Sequence, residues 1–376
     1  MIAFDDLDFP QARTVASRES LRALGMFSAP VGPGVYDGAK LDAWLLVLLR
    51  SLVNCVAGDE DSAFFALDHL RRHVKATKDT LVTEPVNDMT SIAPVAEEVL
   101  LGICAPSFSA SSDQYDAVAA LADGISSILP GWDTLLYSNN ELIQFVPTSD
   151  LDFNIPLWAN NEASAEDPAQ WVLSSPPKML PLLSYWSNND SEWVFWQIWY
   201  QGFVDGTPVN LDLQRRIAQI QDTIWDAGPT AVASEIERIR ARWEVEKNLS
   251  ELNDSLSVQA SARHGIGGNN PPESIEDKRL SGAITLIWEA EEELSNALDQ
   301  ESPAREWIEA ILAKFKAGLA SLLKWCAGKV NLAVGTAIVV GTTKGATVVV
   351  EAYIAKHPEK IEALIEALER WLPFLS

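Results

Sequence analysis

The feature that most constrains this chain is a break. Residues 257–274 read SVQASARHGIGGNNPPES. Three glycines, two asparagines and two prolines in that span favour turns and remove backbone donors, so a helix cannot run through it. The break predicts a domain over 1–256, a linker over 257–274 and a C-terminal unit over 275–376. A length of 376 residues allows two or three domains that each bury a core.

On both sides of the break the pattern is helical, and the expected fold class is mainly α: an acidic, Trp-rich helical N-terminal domain plus a smaller C-terminal helical bundle or hairpin. Lys40–Ala57 (KLDAWLLVLLRSLVNCVA) is apolar for most of its length and reads as a buried helix. Gly58 and then Asp59-Glu60-Asp61 mark a stop and a new start. The next helix, about 61–78, carries Phe64, Phe65, Leu67, Leu70 and Val74, and the two form an αα-hairpin. Further helices fit 92–104 and 113–129, and Leu142–Val146 fits a short strand. Asn189 with Glu192 resembles a capping box. Asn210–Trp225 is read as one helix, and Gly228-Pro229 starts another that runs from about Thr230 to Leu256. Beyond the break the helical stretches are 275–299, a helix following Pro303, and 358–372.

Six of the fourteen tryptophans fall between Trp158 and Trp199. An aromatic row can stack on sugars or bases. Here Trp193, Trp196 and Tyr200 share one helical face and Phe195, Trp199 and Phe203 another. Two apolar faces fit burial between neighbouring helices better than a platform in water.

The charge balance is 53 acidic against 28 basic residues, net −25. Such a chain repels phosphate, so nucleic acid is an unlikely partner. The balance is uneven. Residues 101–200 hold twelve acids and only Lys178 as a base, a net of −11. Residues 303–350 hold six bases (Arg305, Lys314, Lys316, Lys324, Lys329, Lys344) and two acids (Glu306, Glu309), a net of +4.

Two segments resemble known sequence. Phe195–Pro229 (FWQIWYQGFVDGTPVNLDLQRRIAQIQDTIWDAGP) resembles a pattern of uncharacterised bacterial proteins, in which W-x-x-W-Y precedes G-x-P and D-x-x-W-x-x-G-P follows. Arg263–Glu273 (RHGIGGNNPPE) is similar to a linker of the same proteins. The resemblance implies a bacterial source and no particular activity.

Candidate chemistry is sparse. Cys55, Cys104 and Cys326 are scattered without CxxC spacing, and the N-terminus is acidic where a signal peptide needs bases, so the expected compartment is the cytoplasm. His69 and His73 stand four apart on one helix face, a spacing that suits zinc. The HExxH signature is absent, no third ligand is visible, and Arg71 and Arg72 oppose a cation. Gly265-Ile266-Gly267 lacks the preceding strand and the third glycine of a dinucleotide loop. No Ser lies in G-x-S-x-G. No catalytic residue, cofactor or metal is therefore assigned. A metal-dependent enzyme centred on His69 and His73 ranks third among the readings.

The basic C-terminal stretch carries the functional expectation. Its first helix places Ile308, Ile311, Leu312, Phe315, Leu319, Leu322, Leu323 and Cys326 on one stripe, with Trp307 and Trp325 at the flanks and Lys314 and Lys324 off it. A basic amphipathic helix with interfacial tryptophans suits an anionic membrane surface. Trp307, Ile311, Phe315, Leu319, Leu322, Trp325, Lys314 and Lys324 are the expected membrane contacts. Residues 332–350 (LAVGTAIVVGTTKGATVVV) follow, with one charge, Lys344. Gly341 and Gly345 give a small-residue face for helix packing beside Lys344. The segment fits a buried helix, a membrane segment or a β-hairpin.

The leading expectation is a non-enzymatic bacterial interaction protein. It associates with or disrupts membranes through 303–350 and is restrained by its acidic domain. It would be cytoplasmic and peripheral to, or inserted in, the inner membrane, with a protein partner or a second copy of itself. The alternative is a soluble helical scaffold or adaptor with no membrane role.

Overall fold

A computed structural model of the chain describes residues 2–3, 9–25, 38–58, 60–78, 145–146, 152–157, 181–188, 191–261, 278–330 and 358–376. The described part is mainly α. Its only pairing of extended chain is two residues long: Ile2–Ala3 (β1) lies antiparallel to Phe145–Val146 (β2). The expected helices at 92–104 and 113–129 lie outside the described residues. The chain divides into two compact units, Met1–Ile236 and Glu237–Ser376.

In the first unit, α1 (Phe9–Gly25), α2 (Gly38–Ala57) and α3 (Glu60–Lys78) are followed by α4 (Pro181–Asn188), α5 (Val194–Asp205), α6 (Leu211–Ala218) and α7 (Asp222–Asp226). Helix α2 packs on α1, α3 and α6, and accordingly it is buried nearly all round. The expected αα-hairpin is present. Gly58 closes α2 at φ +66° and donates its N–H to the Asn54 carbonyl, a left-handed cap that suits glycine. On α3 the inward stripe is Ala63, Ala66, Leu67 and Leu70, while Phe64 and Phe65 are exposed. Small alanines let α3 approach α2, and the two phenylalanines fall on the face turned away.

The tryptophans of the α4–α5 row are core residues, as their two-faced spacing predicts, while Trp158 and Trp171 lie outside the described residues. Trp186, Trp193, Trp196, Trp199, Tyr200, Phe203 and Trp225 are all buried. Their rings meet mostly edge to face, for example Trp196–Trp199 at 5.6 Å and Trp199–Phe203 at 5.1 Å. Two indoles also satisfy their donors. Trp199 Nε1–H donates to Gln214 Oε1 at 2.9 Å, and Trp225 Nε1–H donates to the Ile220 carbonyl at 3.0 Å.

One local expectation is corrected, and another falls partly outside the described residues. Asn189 of the expected capping box is not among them; Ser191–Trp193 is a 3-10 turn, α5 starts without a side-chain cap, and Glu192 accepts from the Thr230 hydroxyl. The helix expected over 210–225 is two helices. Asn210 caps α6, its side chain accepting from Asp212 N–H at 2.8 Å, but the chain turns at Gln219 and restarts as α7. That turn lets Ile217 and Ile220 both reach the core.

Helix α8 (Pro229–Ser261) enters the second unit, which is completed by α9 (Lys278–Leu298), α10 (Arg305–Val330) and α11 (Pro358–Trp371). These four helices form one antiparallel bundle. Arg242 of α8 donates to the carbonyls of Leu298 and Glu301 at the far end of α9. Lys314 of α10 meets Glu293 of α9, and Lys316 meets Glu369 of α11. Arg370 and Lys360 of α11 reach Glu244 and the Glu251 carbonyl of α8 in reverse order along the chain. All four contribute to one apolar core: Val245, Leu249 and Leu252; Ile287, Ala290 and Leu294; Ile308, Ile311 and Phe315; Leu364, Leu368 and Trp371. The compact units part at Ile236, inside α8, because the following turns of that helix bury their stripe with the C-terminal helices. Helix α8 also continues to Ser261, so 257–261 is helical rather than linker.

Candidate functional site

Two arrangements carry chemistry, one in each unit. The first is buried charge around α2. Arg50 stands in the middle of the apolar run and is 1% exposed. Its Nη2 bonds Asp222 Oδ1 at 2.5 Å, and its guanidinium carbon lies 5.3 Å from the centroid of the Trp225 ring. Burial lowers its pKa and the Asp222 carboxylate opposes that shift. Its Nε and Nη1 have no hydrogen-bond partner. Asp222 and Asp226, four apart on α7, share a face. Asp226 Oδ1 lies 3.4 Å from His69 Nε2, and Arg72 Nη2 lies 3.7 Å from Asp222 Oδ2. The cluster thus pins the short helix α7 to α2 and α3.

Burial is the main cause that pushes His69 down to about 4, with the Arg50 charge next, so His69 is neutral at neutral pH. His73 is lowered as well, by burial, and its ring meets the Trp44 ring edge-on at 4.5 Å. The two histidines that the zinc spacing singled out thus turn to different partners, an aspartate and an indole. Among the described residues no three His, Cys, Asp or Glu side chains converge as a metal site.

A second buried arginine, Arg18 of α1, donates to the carbonyls of Asp152, Ile155 and Pro156 at 2.8–2.9 Å. It ties residues 152–157 to the helices. Tyr185 of α4 likewise donates to Asp42 Oδ1 at 2.7 Å, and burial with that carboxylate pushes its phenol up. Arg18 and Arg50 were not singled out by sequence reasoning. The signal available for Arg50 was its place as a lone charge inside an apolar run, where a buried cation demands a partner.

The second arrangement is α10, where the membrane contacts were expected. Ile311, Phe315, Leu319 and Leu322 are buried, and Trp307 and Trp325 pack against the same core partly covered. The amphipathic stripe is thus the inner seam of the bundle rather than a free face. The physical reason is that α8, α9 and α11 each present a matching apolar stripe. Gly318 lets α9 come close: a Cβ there would stand 2.7 Å from Ile287 Cγ1 and 3.1 Å from the Ala283 carbonyl. Lys314 is bonded to Glu293, whereas Lys324 is exposed. Gly341, Lys344 and Gly345 lie outside the described residues. Among the described residues no helix is long and apolar enough to cross a membrane.

No family model matches the chain, and neither a curated protein nor a solved structure matches it.

Proposed function

We propose that this is a non-enzymatic helical interaction protein whose C-terminal bundle holds a membrane-seeking helix, α10, in sealed form. The observation that carries the reading is the double role of that helix. Its composition is that of a basic amphipathic surface peptide, yet its apolar stripe is buried and Lys314 and Lys316 are matched by Glu293 and Glu369 of its neighbours.

Magnitudes decide what keeps it sealed. Six buried side chains (Ile308, Ile311, Leu312, Phe315, Leu319, Leu322) at about 1.5–3 kcal/mol each make exposure of the stripe to water cost on the order of 10 kcal/mol. The exposed ion pairs add about 1 kcal/mol or less apiece. Burial dominates, so α10 leaves the bundle only for another apolar medium. A bilayer surface is such a medium, and anionic headgroups replace the glutamates as partners of its lysines. The following 332–350, nearly uncharged, would go with it. The restraint acts from within the C-terminal unit, and the setting is a bacterial cytoplasm with peripheral attachment to the inner membrane.

The second reading, a soluble scaffold, is favoured by the closure of the bundle core by all four helices. The test uses the full chain as wild type and as Gly318→Leu, whose side chain cannot fit between α10 and α9. Both are sedimented with anionic and with zwitterionic vesicles. The reading expects the wild type in the supernatant and the variant pelleting with anionic vesicles only, with release of trapped dye. If neither pellets, the scaffold reading stands. If the variant pellets equally with both vesicle types, it is merely unfolded and sticky, and the proposal fails.

A further inference from the structure

Helix α10 has a second lengthwise row, on its outer side. Glu306, Ala310, Ala313, Ala317, Ala320 and Lys324 follow one another at spacings of 4, 3, 4, 3 and 4, and all six are exposed. That alternation keeps them on one helix face over about 27 Å, at a rise of about 1.5 Å per residue. The inner row of the same helix is apolar and spent on the bundle core. The outer row is small in the middle and carries opposite charges at its two ends. Glu306 and Lys324 form no ion pair among the described residues, unlike Arg305, Lys314 and Lys316 of the same helix.

The row is self-complementary when reversed. Turned end for end about residue 315, position 306 falls opposite 324, 310 opposite 320, and 313 opposite 317. Glu306 of one copy then faces Lys324 of the other, twice, and alanine meets alanine between them. Parallel pairing would set Glu306 against Glu306 and Lys324 against Lys324. Alanines permit close approach of two helix backbones, and an isologous two-fold contact needs just this self-matching pattern.

We infer that the outer face of α10 is the site where a second copy of this chain docks, α10 against α10 and antiparallel, with the Glu306–Lys324 pairs setting the direction. The inference is independent of the membrane reading, since it uses the face of α10 that the bundle leaves uncovered.

Sedimentation equilibrium of the full chain over a concentration series tests it. The wild type is expected to dimerise, more weakly as salt rises. E306K and K324E each place like charges together at both ends and are expected to weaken the dimer on the order of tenfold or more. An equimolar mixture of the two variants restores opposite charges at both ends and regains dimer, as does the double variant E306K/K324E. Circular dichroism verifies that each variant is folded, which their exposed positions favour. A wild type that is monomeric throughout, single variants as dimeric as the wild type, or a mixture that fails to recover would overturn the proposal.

Discussion

The two units contain ion pairs of the same length in opposite settings. Arg50–Asp222 and Lys314–Glu293 are both 2.5 Å apart. In the first, the arginine is 1% exposed and the aspartate 35%; in the second, the partners are 33% and 37% exposed. The difference runs through the whole molecule. The buried polar residues of the described chain, among them Arg18, Arg50, Asn54 and His69, belong to the first unit, while the buried residues of the bundle core are apolar and its charged residues stand at the edges of that core, partly or fully exposed. One unit is specified by a charge that must find its partner, the other by stripes that must find each other. Equal geometry therefore carries unequal energy, because desolvation, not distance, sets the cost of losing a partner.

The largest effect should fall on the bundle. Phe315→Ala removes a fully buried ring at the centre of its core and is expected to lower the stability of the second unit by about 3–5 kcal/mol, measured by denaturant unfolding. Next, Asp222→Ala leaves the buried Arg50 charge without its carboxylate and is expected to destabilise the first unit by about 3 kcal/mol. Glu293→Gln is the matching change in the second unit and should cost less than about 1 kcal/mol. Equal losses for Asp222→Ala and Glu293→Gln would erase the contrast between the units.

Between these lies a pH effect confined to the first unit. Unfolding returns His69 to its ordinary value near 6.5, whereas the folded chain holds it at about 4. Its contribution is complete above pH 6.5, falls away as pH drops toward about 4, and is absent below. The loss amounts to about 3 kcal/mol, and His73 pulls in the same direction. A urea-midpoint profile of His69→Leu should be flatter over that window than the wild-type profile. A profile as steep as the wild type would assign the acid sensitivity to other groups.

The legible parts of this fold are those set by short-range periodicity. The apolar run of α2, the cap at Gly58, the two-faced tryptophan helix and the stripe on α10 all follow from residues within a few turns of one another. What the sequence withheld is set by partners far away. Arg50 and Asp222 are 172 residues apart, and nothing local to either names the other. The break between α6 and α7 reflects packing rather than a glycine or proline, since Gln219, Ile220 and Gln221 are no helix breakers. The extent of the compact units is set in the same way. Gly and Pro clusters mark where a helix must stop, but a unit ends where burial ends, and Val245, Leu249 and Leu252 of α8 pack with helices that come later. The membrane expectation for α10 rested on an amphipathic face with lysines beside it. An interior helix of a bundle with ion-paired edges has that same pattern, and only the neighbouring helices distinguish the two.

The account turns on α10 being sealed in the bundle, and amide hydrogen exchange of the full chain in water measures that directly. If the helix is part of one closed core, the amides of 308–322 exchange as slowly as those of Val245–Leu252, Ile287–Leu294 and Leu364–Leu368, all through the same global opening. Faster exchange along α10 than along its three neighbours would show a helix only loosely held, and would contradict the claim that burial in the bundle restrains it.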